Sequence, residues 1–302
     1  MSPSAVLHRP RRSVLYMPAS NARAVEKAKT LACDVVILDL EDAVAPEAKP
    51  AARAHAAEAI RAGGFGSREL VIRCNGLDTP WGAEDLQAAA EAGPDAILVP
   101  KVNSPADVLA YEAAIAHAPA HTRLWAMIET CPAVFALNAI GAVKTNDPAS
   151  RLSGWAMGLN DLAKEMGCRQ TPERTPMLAV LTLAVAAARA HGLFILDGVC
   201  NELDDPDGLE AQCRQGVDFG FDGKCLIHPN QIEAANRLFS PPDDEVIWAR
   251  AVIAAFADPA NQGRGALRVG GKLAEFLHLA QAEKLVGAAD AIAAADQARR
   301  VS

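Results

Sequence analysis

RLWAMIETCPAVFALNAIGAVKTNDPASRLSGWAMGLND, residues 123–161, holds the reading that decides the fold. It opens on RLWAMIE (123–129), a nearly continuous apolar run of strand length. Such a run fits a strand covered on both faces. PAVFALNAIGA follows with helical composition, and LSGWAMG (152–158) is a second strand-like run. Strand, helix and strand in that order are the repeat of an α/β fold with a parallel sheet. Glu129 ends the first run, and Asp161 stands just past the second.

Working outward, the same unit recurs. SVLYMP (13–18), VVILDLE (35–41), ELVIRCN (69–75), AILVPKV (96–102), LFILDGV (193–199) and GKCLIHP (223–229) bring the predicted strands to eight. Helical segments separate them. NARAVEKAKTLA (21–32) follows Ser20 as a candidate cap, and PEAKPAARAHAAEAIRAGG (46–64) stops at glycines. HPNQIEAANRLFS (228–240) supplies an eighth helix. Eight alternations predict a (β/α)8 TIM barrel over residues 11–240. A doubly wound sheet is the alternative, but the first turn, MPASNAR, lacks the glycine-rich phosphate loop of that fold. Residues 241–302 exceed what a barrel needs and predict a C-terminal helical extension, a lid or an oligomerisation arm. Within it NQGRGALRVGGK reads as a glycine-rich loop, and LAEFLHLAQAEKLVGAADAIAAADQARR as a terminal helix.

Bulk properties narrow the classes. The 302 residues are 51% hydrophobic but only 5% aromatic, so Ala, Val, Leu and Ile build the core. A net charge of −8 argues against a nucleic-acid partner, which needs a basic face. No apolar run is long and charge-free enough for a membrane span. Seven scattered cysteines without a CxxC pair suit a reducing, cytoplasmic setting. MSPSAVLHRPRRS reads as a short basic leader and not as a secretory signal.

Three polar residues stand where barrels of this kind keep their chemistry, at strand C-terminal ends. Glu129 and Asp161 offer hard oxygen ligands that suit Mg²⁺, with Mn²⁺ as a second choice. Arg73 offers an always-charged fork that suits a substrate carboxylate. For each carboxylate the competing reading is a helix cap or a surface ion pair. For Arg73 it is an internal salt bridge to Asp39 or Glu41. Asp39, Glu41 and Asp42 in LDLEDAV could accept hydrogen bonds from metal-bound waters, or form a rim network. Lys49 and Arg53 could meet a phosphate, or form a solvated helix face. Lys101 and Lys224 could form a Schiff base or bind an anion. His228 reads as a hydrogen-bonded rim residue. Pro119 breaks any shared face between His117 and His121, which removes a zinc pair.

RRSVLYMPASN, LDLEDAVAPEAK, VIRCN, ILVPKV, MIET, GLNDLA and FDGKCLIHPNQI occur in the order found in the HpcH/HpaI aldolase and citrate lyase superfamily. The resemblance covers about residues 11–240 and is strongest to the CitE-like branch of citrate lyase β subunits, malyl-CoA lyases and citramalyl-CoA lyases. It implies a TIM barrel, Mg²⁺ and reversible C–C cleavage of a 3-hydroxyacyl-CoA to acetyl-CoA and a keto acid. Glu129 and Asp161 match the family's metal ligands, and Arg73 matches its carboxylate-binding arginine. Glu41 and Asp42 match an acidic pair close to the metal waters. Gly158, Asn160 and Lys49 join Arg73 as implied substrate contacts. The resemblance also implies a homo-oligomer, commonly a trimer, and allows an acyl-carrier partner. Met17-Pro18-Ala19 replaces the usual VPG of the first strand. GKLAEFL (271–277) stands where CoA-lyase members carry a GKMID-type motif, which makes Glu275 the candidate proton carrier. Free-acid class II pyruvate aldolase and a partner-dependent subunit are the rival functions. A CoA enzyme needs a cationic patch, for which Lys49, Arg53 and Arg12 are the candidates.

Overall fold

The computed structural model describes residues 9–301. The leader at residues 1–8 lies outside the described residues. Eight parallel strands close into a barrel in chain order. They are β1 (Ser13–Pro18), β2 (Val35–Asp39), β3 (Glu69–Arg73), β4 (Ala96–Val99), β5 (Arg123–Ile128), β6 (Leu152–Met157), β7 (Phe194–Asp197) and β8 (Gly223–Leu226). β1 pairs with β8 as well as β2, which leaves no open edge. The predicted TIM barrel is the observed fold.

Helices cover the outside: α1 (Ala22–Ala28), α2 (Lys49–Ala62), α3 (Gly82–Ala92), α4 (Pro105–Ala114), α5 (Cys131–Asn146), α6 (Leu159–Met166), α7 (Leu178–Ala190), α8 (Pro206–Phe219) and α9 (Ile232–Leu238). Local chemistry sets their starts. Ser104 and Thr130 each cap a helix through the hydroxyl and are followed by Pro at the first or second turn position. Directly after LSGWAMG comes α6, a helix not marked in the sequence reading, which carries Asp161 in its first turn.

Side chains fill the barrel interior. Val14, Ile37, Val71, Leu98, Trp125, Phe194 and Leu196 form one buried cluster. Gly154 makes room for it: a Cβ there would lie 2.3 Å from the Phe194 ring. Arg11 lies over Phe194 at 4.0 Å and pairs with Glu69 at 2.6 Å, at the ends where the strands begin.

The chain divides into two compact units, one of them Arg11–Arg237 and the other built from Leu238 onward. The second unit contains α10 (Asp243–Ala257), β9 (Ala266–Val269), β10 (Lys272–Glu275) and α11 (Phe276–Val301). Here the sequence reading needs correction. The glycine-rich loop is a hairpin, with β9 and β10 antiparallel. Gly270 and Gly271 both take positive φ, 56° and 83°, as a two-residue primed turn requires. Leu267, Val269 and Ala274 from the hairpin pack with Ala249 and Val252 of α10. The terminal helix therefore starts at Phe276, after the hairpin. No helix among the described residues is long and apolar enough to cross a membrane.

Candidate active site at the barrel mouth

Parallel strands place their C-terminal ends on one rim, so Asp39, Arg73, Glu129 and Asp161 share a mouth. Asp39 and Arg73 are register partners on β2 and β3. The guanidinium grips its neighbour: Nε and Nη2 donate to the two Asp39 oxygens at 2.7 and 2.6 Å. Nη1 reaches Asp42 at 3.2 Å and lies 2.8 Å from Oε2 of Glu41. The Glu41 contact is ionic without hydrogen-bond alignment, and that buried oxygen has no hydrogen-bond partner. The internal salt bridge read from sequence as the rival role of Arg73 is therefore present. Its planar fork faces Asp39, and its third nitrogen is shared between Asp42 and Glu41.

Glu129 is 2% exposed, and its Oε1 accepts the Lys101 N–H at 2.8 Å. Burial first, and the charge of Asp161 after it, push its pKa up to about 7 against the pull of that N–H, Arg73 and Lys101. Burial also pushes Glu41 to about 8, with Asp42, Glu129 and Asp39 adding to the rise and Arg73 opposing it. Asp161 is half-buried, and no described residue donates a hydrogen bond to its carboxylate. Gly158 allows this packing: a Cβ there would lie 2.5 Å from Oε2 of Glu129.

Lys101 has φ 51°, one of two non-glycine residues with positive φ among those described. That conformation costs about 1–2 kcal/mol for a residue with a Cβ. Its ammonium lies 3.9 Å from Oε1 of Glu41, on a side chain that is 51% exposed.

Lys49 has a different place from either sequence reading. It is 5% exposed, so it forms no solvated face. Its ammonium donates to the carbonyls of Leu40 and Glu41, both at 2.9 Å, and to Oδ1 of Asn75 at 2.7 Å. Three donors meeting three acceptors leave none for a substrate. Lys49 instead pins the loop that carries Glu41. Arg53 pairs with Asp85 at 2.7 Å, and Arg12 grips Asp34 before β1 begins. The three candidate cations for CoA are thus all committed to partners within the chain. Asp85 and Asn75 were not singled out from sequence; both are buried and continue the Lys49 network through a hydrogen bond from Asn75 Nδ2. Tyr16 is another such residue, with Arg73 5.0 Å above its ring.

Asn160 exchanges amide hydrogen bonds with Asn201 and accepts one from Gln170. Gln170 and Asn201 line a cavity of about 490 Å³ beside α6. On β7 and β8, Lys224 is fully buried and donates to Asp197 at 3.0 Å and to the Gly198 carbonyl at 2.7 Å. Arg174 completes that cluster at 2.6 Å from Asp197. His228 accepts from the Asn230 N–H in a capping box. Glu275 ends β10 in the second unit, where its N–H donates to His278 at 3.0 Å.

No three His, Cys, Asp or Glu side chains form a cage among the described residues. Mg²⁺ does not use such a cage; it takes one or two carboxylates and keeps waters. Glu129 and Asp161 fit that demand. They are hard oxygen donors whose charges oppose each other, and the nearest guanidinium is already committed to Asp39.

Fold and site together define the class: a (β/α)8 barrel with an acidic mouth. The HpcH/HpaI aldolase/citrate lyase family matches residues 12–229, and the chain belongs to that family. A (3S)-malyl-CoA thioesterase of Cereibacter sphaeroides is 48% identical over 285 residues, spanning 94% of this chain and 96% of the relative. An L-malyl-CoA/beta-methylmalyl-CoA lyase of the same species is 35% identical over 312 residues, spanning 95% and 96%. The CitE protein of Mycobacterium tuberculosis, solved with magnesium, acetoacetate and coenzyme A, matches with TM-score 0.72 at 29% identity, over 92% of this chain and 97% of that one.

Proposed function

We propose that this chain is a Mg²⁺-dependent enzyme of malyl-CoA-type 3-hydroxyacyl-CoA thioesters, and that it hydrolyses the thioester. One observation carries the metal-dependent chemistry: under-partnered carboxylates, Glu41, Glu129 and Asp161, gathered beside Arg73 at one mouth; the relatives at 48% and 35% identity support the CoA ester. The 48% identity along nearly the whole chain to a thioesterase supports hydrolysis. C–C cleavage is the second reading, favoured by the 35% identity to a lyase.

Glu129 and Asp161 would hold the metal. When bound, Mg²⁺ supplies Lewis-acid stabilisation of oxygen charge on the hydroxy acid. Arg73 would meet the substrate carboxylate through Nη1, which Asp42 and Glu41 share in the free protein. Glu41 is the general base: one of its oxygens is buried without a hydrogen bond, and its pKa of about 8 suits proton transfer near neutrality. In hydrolysis its carboxylate takes a proton from the attacking water. The water oxygen bonds to the thioester carbon, the C–S bond breaks, and the thiolate leaves and is protonated. In C–C cleavage the same carboxylate takes the 3-hydroxyl proton. The products are then a keto acid and an acyl-CoA enolate, which must gain a proton on carbon. Glu275 is the proposed carrier for that last step. A homo-oligomer, expected to be a trimer, and activity without an acyl-carrier partner complete the reading.

The test is purified protein with Mg²⁺ and (3S)-malyl-CoA, followed by mass spectrometry. Malate with free CoA establishes hydrolysis. Acetyl-CoA with glyoxylate establishes the lyase. An intact ester beside turnover of free 4-hydroxy-2-keto acids would replace both with a free-acid aldolase.

A further inference from the structure

The cations of the β2 to β8 rim are nearly all spent. Arg73 gives two nitrogens to Asp39. Lys49 gives three hydrogens to the Glu41 loop and Asn75. Arg174 and Lys224 are held by Asp197. Lys101 differs from these four. Its ammonium makes no hydrogen bond among the described residues, stands 3.9 Å from Glu41, and is half exposed at the mouth.

Its backbone adds a second, independent observation. The left-handed conformation at φ 51° aims the Lys101 N–H at Glu129, at 2.8 Å. Glycine would give the same N–H with no strain. The strain thus accompanies a side chain that glycine would lack. Backbone strain kept at a rim points to a use for that side chain.

We infer that Lys101 is a substrate-binding residue: its ammonium supplies the second positive contact for the free carboxylate of the hydroxy or keto acid, beside Nη1 of Arg73. The inference rests on the function proposed above. A carboxylate has two oxygens, and Arg73, with two nitrogens on Asp39 and Nη1 shared by Asp42 and Glu41, can turn at most one nitrogen to it. Lys101 can swing from its 3.9 Å position near Glu41 because no hydrogen bond holds it there. One residue then does two separable jobs, with the N–H orienting Glu129 and the ammonium meeting substrate.

Calorimetry with oxalate at saturating Mg²⁺ tests this, with Mg²⁺ binding measured separately. Oxalate stands for the acid end of the substrate. Lys101→Met and Lys101→Gly are expected to weaken oxalate by at least about tenfold, as loss of a charged hydrogen bond does. Both should bind Mg²⁺ within about twofold of the parent, because the N–H survives in each. Lys101→Gly should melt no lower than the parent, and Lys101→Arg should restore oxalate binding. Parental oxalate affinity in Lys101→Met would overturn the inference and leave the proposed function standing. Equal loss of Mg²⁺ and oxalate affinity would assign Lys101 to metal-site structure instead. Absence of oxalate binding in the parent protein would remove the proposed function along with it.

Discussion

Two buried charge clusters on the barrel sheet are built in opposite ways. On β7 and β8, Asp197 is fully buried and accepts from Arg174 through both oxygens, from Lys224, and from the Gly198 N–H. On the rim near β5, Glu129 is almost as buried but accepts one N–H, and a Glu41 oxygen accepts none. A satisfied carboxylate holds structure together. An unsatisfied one, with its pKa forced up, keeps a demand that a cation or a proton can meet.

The sharpest way to break the comparison is to remove one carboxylate from each cluster. Glu129→Ala is expected to lower turnover of the malyl-CoA ester by at least about 1,000-fold, roughly 4 kcal/mol, with little loss of stability. Steady-state kinetics with a chelator control reads this. Asp197→Ala should do the reverse. It strands two buried cations and is expected to cost about 3–5 kcal/mol of folding stability, read by urea denaturation.

The pH dependence separates the clusters more gently. Glu41 and Glu129 have pKa values raised to about 8 and about 7, so the folded chain binds more protons than the unfolded chain above the ordinary carboxylate range. Without metal these two groups therefore contribute most to stability at low pH, and their contribution falls as pH rises from about 4.5 to 8. Denaturation midpoints across that window, with and without Mg²⁺, check the sign. Mg²⁺ should flatten the slope, and Glu41→Gln should remove part of it. A Glu41→Gln variant with the parent's slope over the window would contradict the raised value of Glu41.

The smallest effect sharpens the packing argument. A Cβ at Gly158 would sit 2.4 Å from the Cβ of Glu129 and displace it. Gly158→Ala is expected to weaken Mg²⁺ binding by about 10- to 100-fold. The accompanying stability cost should be about 1–3 kcal/mol. Calorimetry of Mg²⁺ binding and a melting curve read the two terms apart.

Much of this site was legible in the chain. Glu129, Asp161 and Arg73 stand at the ends of apolar runs, and parallel strands must bring such ends to one rim. The hairpin of the second unit escaped because Gly270-Gly271 was read as flexibility. The flanking ALRV and KLAE were the signal, since two glycines between short alternating runs specify a primed turn. The placement of Lys49 escaped for another reason. A lysine in an alanine-rich helix looks solvated, and three buried acceptors from the Leu40-Glu41 turn and Asn75 cannot be seen until β2 and β3 lie side by side.

Periodicity and strand-end chemistry alone determined the barrel, its strand order and the acids at its mouth, because those depend on local pattern and on the rules of parallel sheets. Only the tertiary structure decided which charges are spent and which remain. Arg73 turns to Asp39, Arg174 and Lys224 to Asp197, and Lys49 to a carbonyl pair, while Lys101 keeps its ammonium at the mouth. The reason is physical: the partner of a charge is chosen by distance and burial across the barrel, and neither is written in the spacing along one strand.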